Sequence, residues 1–156
     1  MKKGPILFLQ AVIVLIGFAV LGLMLWEPNV EGVNANATFF QIYFQDPFLA
    51  YAYIMSIPFF VGLYQVYKIL AFTREERIFS HAAVKAVKTL KYCAIITAAA
   101  IIGADAYLMV FIGIPGKDDP AGAIMLGLIA TFISIVVASA AGIFERIVAK
   151  GIINNA

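Results

Sequence analysis

The sequence predicts an all-α integral membrane protein, a four-transmembrane-helix bundle with both chain ends on the same side. Three observations predict it. Of 156 residues, 63% are apolar and only 13% are charged, whereas a soluble domain runs near one half and one quarter. Four apolar stretches reach the about 20 residues that a helix needs to cross about 30 Å of hydrocarbon. The cations, finally, are distributed with strong asymmetry between the connections. Such a composition leaves too little polar surface to coat a water-soluble globule, which excludes a secreted disulfide scaffold, a disordered tail and an ordinary cytosolic enzyme.

The first span, 5–26, carries Gln10 as its only strongly polar side chain. Residues 1–37 could also be read as a signal peptide, because Ala35-Asn36-Ala37 has the form of a cleavage site. The apolar run exceeds the usual core of about 7–15 residues and ends well before that site, so retention as an anchor is expected. Asn36-Ala37-Thr38 matches a glycosylation sequon, which has meaning only in a eukaryotic secretory pathway. The second span, 47–70, starts at Asp46-Pro47, an N-cap acceptor followed by a proline whose missing N–H costs nothing at a first helical position. Pro58 lies in its middle and is expected to kink it, freeing a carbonyl one turn earlier. The third span, 92–114, is interrupted by Asp105, and Ser80 is a candidate N-cap for a helix running into it. The fourth, 120–144, holds no charge and starts at Asp119-Pro120. Continuous rather than alternating apolar runs favour helices over a barrel.

Lys2, Lys3, Lys68, Arg74, Arg77, Lys85, Lys88, Lys91, Arg146 and Lys150 fall on one side of these spans, and only Lys117 on the other, beside Glu27, Glu31, Asp46, Asp118 and Asp119. The positive-inside rule therefore places both termini and segment 71–91 in the cytoplasm. Trp26, Phe39, Phe40, Tyr43, Phe44 and Phe48 gather at the outer boundary and Tyr64, Tyr67 and Tyr92 at the inner one, as amphipathic rings in the headgroup layer do.

Chemistry-bearing residues are few. The single Cys93 forms no internal disulfide and reads as a small packing residue. No metal-ligand spacing and no nucleotide or hydrolase motif occurs, so no metal, cofactor or catalytic residue is expected. An ionisable group within a span costs on the order of 3 kcal/mol, which singles out Asp105. Counting about 1.5 Å per residue puts it roughly 14 Å below the outer boundary, level with Tyr53 and Ser56 on the second span and Thr131 and Ser134 on the fourth. A polar layer of Asp105, Ser56, Tyr53 and Thr131 is the candidate intramembrane site, either an ion-coupled centre or a structural hydrogen bond. Ala99 with Gly103, and Ala138 with Gly142, have the spacing that lets helix backbones approach, within one chain or in a homodimer. In the cytoplasmic segment 71–91, a helix from Ser80 collects His81, Lys85, Lys88 and Lys91 on one face and Ala82, Ala86, Val87 and Leu90 on the other. This basic amphipathic helix is expected at the bilayer surface, where its face meets anionic lipid or an acidic cytosolic partner. With no reading helix or stacking platform, direct nucleic-acid binding is not expected.

The runs Ile57–Leu70 and Ile78–Lys88, with Phe79-Ser80 before Val84-Lys85-Ala86-Val87-Lys88, then Lys91-Tyr92-Cys93-Ala94 and Asp118-Asp119-Pro120-Ala121-Gly122, resemble a large bacterial family of small four-helix inner-membrane proteins without assigned function. The resemblance spans most of residues 50–148. It implies the architecture above and suggests a partner, since such proteins are often encoded beside a small Xre/Cro-type helix-turn-helix regulator. The chain departs from the pattern in ending Ile152-Ile153-Asn154-Asn155-Ala156 instead of in an acidic stretch, and in carrying Asp105. The expected role is a non-enzymatic protein of the bacterial plasma membrane that binds or sequesters a cytosolic regulator through its basic inner loop. The alternative is a small transporter or resistance/immunity protein using Asp105 as a coupling acid.

Overall fold

The computed structural model describes residues 3–30, 47–110, 112, 114–115 and 119–154, the side chains of 27–30 and 47–49 excepted. These residues form four long helices and no strand: α1 Lys3–Val30, α2 Pro47–Arg74, α3 His81–Met109 and α4 Ala121–Asn154. All four are long and apolar enough to cross a membrane. They pack in chain order, α3 most extensively on α4, then α2 on α3, then α1 on α2. Asp46, Lys117 and Asp118, the aromatic residues 39–44 and the possible cleavage site at 35–37 lie outside the described residues.

The ends form where local chemistry directs. Ser80 caps α3 in an extended conformation, its hydroxyl accepting from the Ala83 N–H at 3.2 Å. Asp119 Oδ1 accepts from the Ala121 N–H at 3.0 Å at the start of α4. The end of α2 closes through Glu76 N–H to Thr73 O at 3.2 Å and Arg77 N–H to Phe72 O at 2.8 Å, with Glu76 at φ 58°. That is a Schellman closure whose left-handed position glycine normally fills. Pro58 lies inside α2, which continues through it. Lacking an N–H, it leaves the Ile54 carbonyl without its helical donor.

Helix α3 stops at Met109, five residues short of the expected end of the third span at Ile114. Two turn bonds follow, Val110 N–H to Tyr107 O and Ile112 N–H to Met109 O, both 3.3 Å. Gly113-Ile114-Pro115-Gly116 explains the stop: a glycine weakens the helix, Pro115 cannot donate, and the residue before a proline is pushed out of the helical region. Asp105 consequently lies one turn from the end of α3, about 6 Å along the axis, rather than about 14 Å.

At the other end α3 and α4 run long. Their 29 and 34 residues span about 43 and 51 Å, beyond the about 30 Å of hydrocarbon. The excess forms an antiparallel hairpin at the lysine-rich end. The seam is legible on α4 as Ile124, Gly127, Thr131, Ser134, Ala138, Ala141, Glu145 and Val148, alternately three and four residues apart and all buried or half-buried. This is the interval at which one helix keeps a single stripe against another.

Candidate functional site

Two places gather functional side chains. The first is the hairpin. Ala83 and Val87 on α3 and Val148 on α4 retain no exposed surface, and Ala86 retains almost none. The buried part of segment 81–91 is thus covered by the protein itself, through its packing on α4. The buried positions are Ala83, Ala86 and Val87, whereas Ala82 is exposed and Leu90 half-buried. The expected basic face divides as well. His81, Lys85 and Lys88 are exposed. Lys91 turns toward α4, where its Nζ donates to Glu145 Oε2 at 2.7 Å, with both side chains about three-quarters buried. Exposed Arg146 and Lys150 extend the basic surface onto α4. Lys68 lies 5.6 Å from the Tyr64 ring centre and Lys91 5.1 Å from that of Tyr92, so cations and amphipathic rings mark the same level.

A polar clasp holds α1 to α2 toward the same end. The buried Gln10 donates through Nε2 to Tyr67 O at 3.3 Å and accepts at Oε1 from the Arg74 guanidinium at 3.1 Å. Buried polar groups are stable only when matched, and Gln10 is matched on both sides of its amide. Its isolation in an apolar span is the sequence signal for such a clasp.

The second place is the α3–α4 seam near the other end. Asp105 is 6% and Thr131 8% exposed. The Asp105 carboxylate lies directly on the backbone of Gly127, so closely that a Cβ there would overlap it. Thr131 is one turn further along the same face of α4. Asp105 Oδ2 and Thr131 Oγ1 are both sealed from the surface and have no hydrogen-bond partner in the protein. The hydroxyls of Thr73, Thr89, Thr97 and Ser134 each donate to the carbonyl four residues back, and Ser56 to the one three back. Thr131 does not follow this habit. A buried group left unmatched costs about 1–3 kcal/mol, more when charged.

The expected polar layer is therefore brought together in part. Asp105 and Thr131 share the seam. Tyr53 turns to α1, donating to Met24 O at 2.5 Å, and Ser56 closes on its own helix through Tyr53 O at 2.6 Å. On the α2 side of α3 it is Tyr51 that donates, to Ala100 O at 2.7 Å, its hydroxyl seated against Gly103. Sequence reasoning missed Gly127 as the seat of Asp105, although Gly127 and Thr131 have the small-residue spacing of a close helix contact.

Comparison with known proteins agrees with this architecture. The uncharacterised membrane protein YoaS of Bacillus subtilis (strain 168) is 31% identical over 153 residues, covering 97% of this chain and 94% of that protein. No solved structure matches. The family described as "Protein of unknown function (DUF2975)" matches residues 31–153, and with four membrane-length helices and a membrane relative along nearly its whole length, the chain is a membrane protein that belongs to this family.

Proposed function

We infer that the chain is a non-enzymatic docking protein of the bacterial plasma membrane. Both termini and the α3–α4 hairpin lie in the cytoplasm, and the hairpin binds the acidic surface of a small soluble protein, a helix-turn-helix regulator being the partner the family resemblance suggests. The observation that carries this reading is the exposed set His81, Lys85 and Lys88 on a segment whose apolar face α4 already covers. A free amphipathic helix would lie on the membrane. A helix whose apolar face α4 already covers has no such need and holds its cations toward water, where complementary charge steers a partner and sets register. The excess of Lys and Arg on this side supports a cytoplasmic orientation.

The full chain, purified in mild detergent from cells of its own kind, should retain a soluble acidic protein in stoichiometric amount. The contact should weaken as salt rises, because exposed charges are screened beyond about 8 Å at physiological ionic strength. Lys85→Glu with Lys88→Glu should release the partner while an impermeant label at residue 75 remains blocked in intact cells. Recovery of lipids and membrane proteins alone, or labelling of residue 75 without lysis, would sink the reading.

A further inference from the structure

We propose that Asp105 and Thr131 form an intramembrane binding site for one small alkali cation, for which Na+ is the probe. The site is built by the seam. Asp105 is brought onto α4 by the missing side chain of Gly127, and Thr131 presents its hydroxyl one turn away on the same face. Both residues are more than nine-tenths buried, and both Asp105 Oδ2 and Thr131 Oγ1 are unmatched within the protein.

The chemistry of these two oxygens selects the ligand. A carboxylate in hydrocarbon demands compensation of one negative charge, and among the described residues no Lys, Arg or His occupies the membrane-crossing parts near it. A water molecule would match the hydrogen-bonding capacity and leave the charge. A proton would cancel the charge and supply a donor, but Asp105 Oδ2 and Thr131 Oγ1 make no hydrogen bond to each other, so without a movement both would stay unmatched. A cation between the two oxygens cancels the charge and bridges them without hydrogen-bond contact, since hard cations take oxygen ligands. With one acid in the site, and no group of three His, Cys, Asp or Glu among the described residues, the charge called for is one. The departure of Thr131 from back-bonding supports the same reading: its oxygen is not committed to the Gly127 carbonyl. Access is short. Asp105 is one turn from the end of α3 and Gly127 less than two turns from the start of α4.

The test is the thermal midpoint of the full chain in lipid nanodiscs, with NaCl exchanged for choline chloride at constant ionic strength and pH. Na+ should raise the midpoint, and the rise should grow with the logarithm of its concentration once the site fills. Asp105→Asn, of the same shape, should lose the response. Thr131→Val should keep it but need roughly tenfold more Na+, as befits the loss of one ligand. Equal responses in the parent and in Asp105→Asn, or none in either, would overturn the site. So would a response to acid with none to Na+, because a proton alone would then suffice. Thr131→Val with raised stability and an unchanged Na+ dependence would mark the hydroxyl as an unmatched group and no ligand, and would overturn the proposal too.

Discussion

At the lysine-rich end the contact between α3 and α4 closes on Val87 and Val148, which have no surface left, while Lys85 and Lys88 point outward. Toward the opposite end the same two helices meet through Gly127, Thr131 and Asp105, while Leu126, Leu128, Phe132 and Ile133 face out. One seam thus reverses its chemistry along its length. In water, removing apolar surface drives association, and each fully buried valine contributes about 1.5–3 kcal/mol. In lipid no such gain exists between helices, because the tails are as apolar as the side chains. Small residues that permit close approach and polar groups with nowhere else to go then occupy the contact. Such a reversal is what a change of solvent near the Lys91–Glu145 pair would produce.

The largest effect that can break this comparison comes from placing a charge in the hairpin. Val148→Asp buries a carboxylate with no partner and should cost about 4 kcal/mol or more, unpairing 81–91 from 145–154 while the membrane part stays helical. Hydrogen exchange should show protection lost in the hairpin alone. The milder Val148→Ala should cost about 2 kcal/mol. Phe132→Ala, at a side chain 68% exposed to the lipid side, should change stability by less than about 0.5 kcal/mol. Equal costs for the alanine variants at Val148 and Phe132 would mean that both stretches lie in the same solvent.

What the sequence reveals follows from the same contrast. The four spans, the cap at Ser80 and the start of α4 at Asp119 are legible because composition and capping chemistry act locally. The azimuth of each helix is not, because it depends on which neighbour it meets. Depth counting puts Tyr53 level with Asp105, yet two residues rotate a helix by about 200°, so Tyr51 faces α3 and Tyr53 faces α1. The end of α3 at Met109 is legible only in part, because the apolar run continues to Ile114 past the breaker run that begins at Gly113. The basic face of 81–91 is legible by periodicity. The loss of Lys91 to Glu145 is not, because the pairing joins residues 54 positions apart.

Within the membrane part the sharpest intermediate effect is expected at Gly127. Its added Cβ in Gly127→Ala overlaps the Asp105 carboxylate, which then has to leave its seat or push the helices apart. Overpacking of this kind costs about 1–3 kcal/mol. Asp105→Ala removes the obstacle, so the double variant should recover most of the loss, a coupling that a double-mutant cycle on detergent-titrated unfolding reads directly. Additive losses would separate Asp105 from Gly127 and leave the seam without its polar knot.

The smallest effect is expected in the turn between α2 and α3, where the backbone and not packing sets the energy. Glu76 holds φ at 58° in the position that closes α2, and its side chain is exposed. A left-handed conformation costs an L-residue roughly 1–2 kcal/mol that glycine does not bear. Glu76→Gly should therefore stabilise the hairpin by about 1 kcal/mol, part of the gain being offset by the greater freedom of glycine in the unfolded chain. The gain should appear as slower exchange at the Arg77 amide, whose bond to Phe72 O completes the closure. It should leave the membrane seam unchanged, because nothing in that turn touches Asp105 or Gly127. A loss of stability instead would mean that the Glu76 side chain makes a contact in the membrane-bound protein worth more than the backbone strain it imposes.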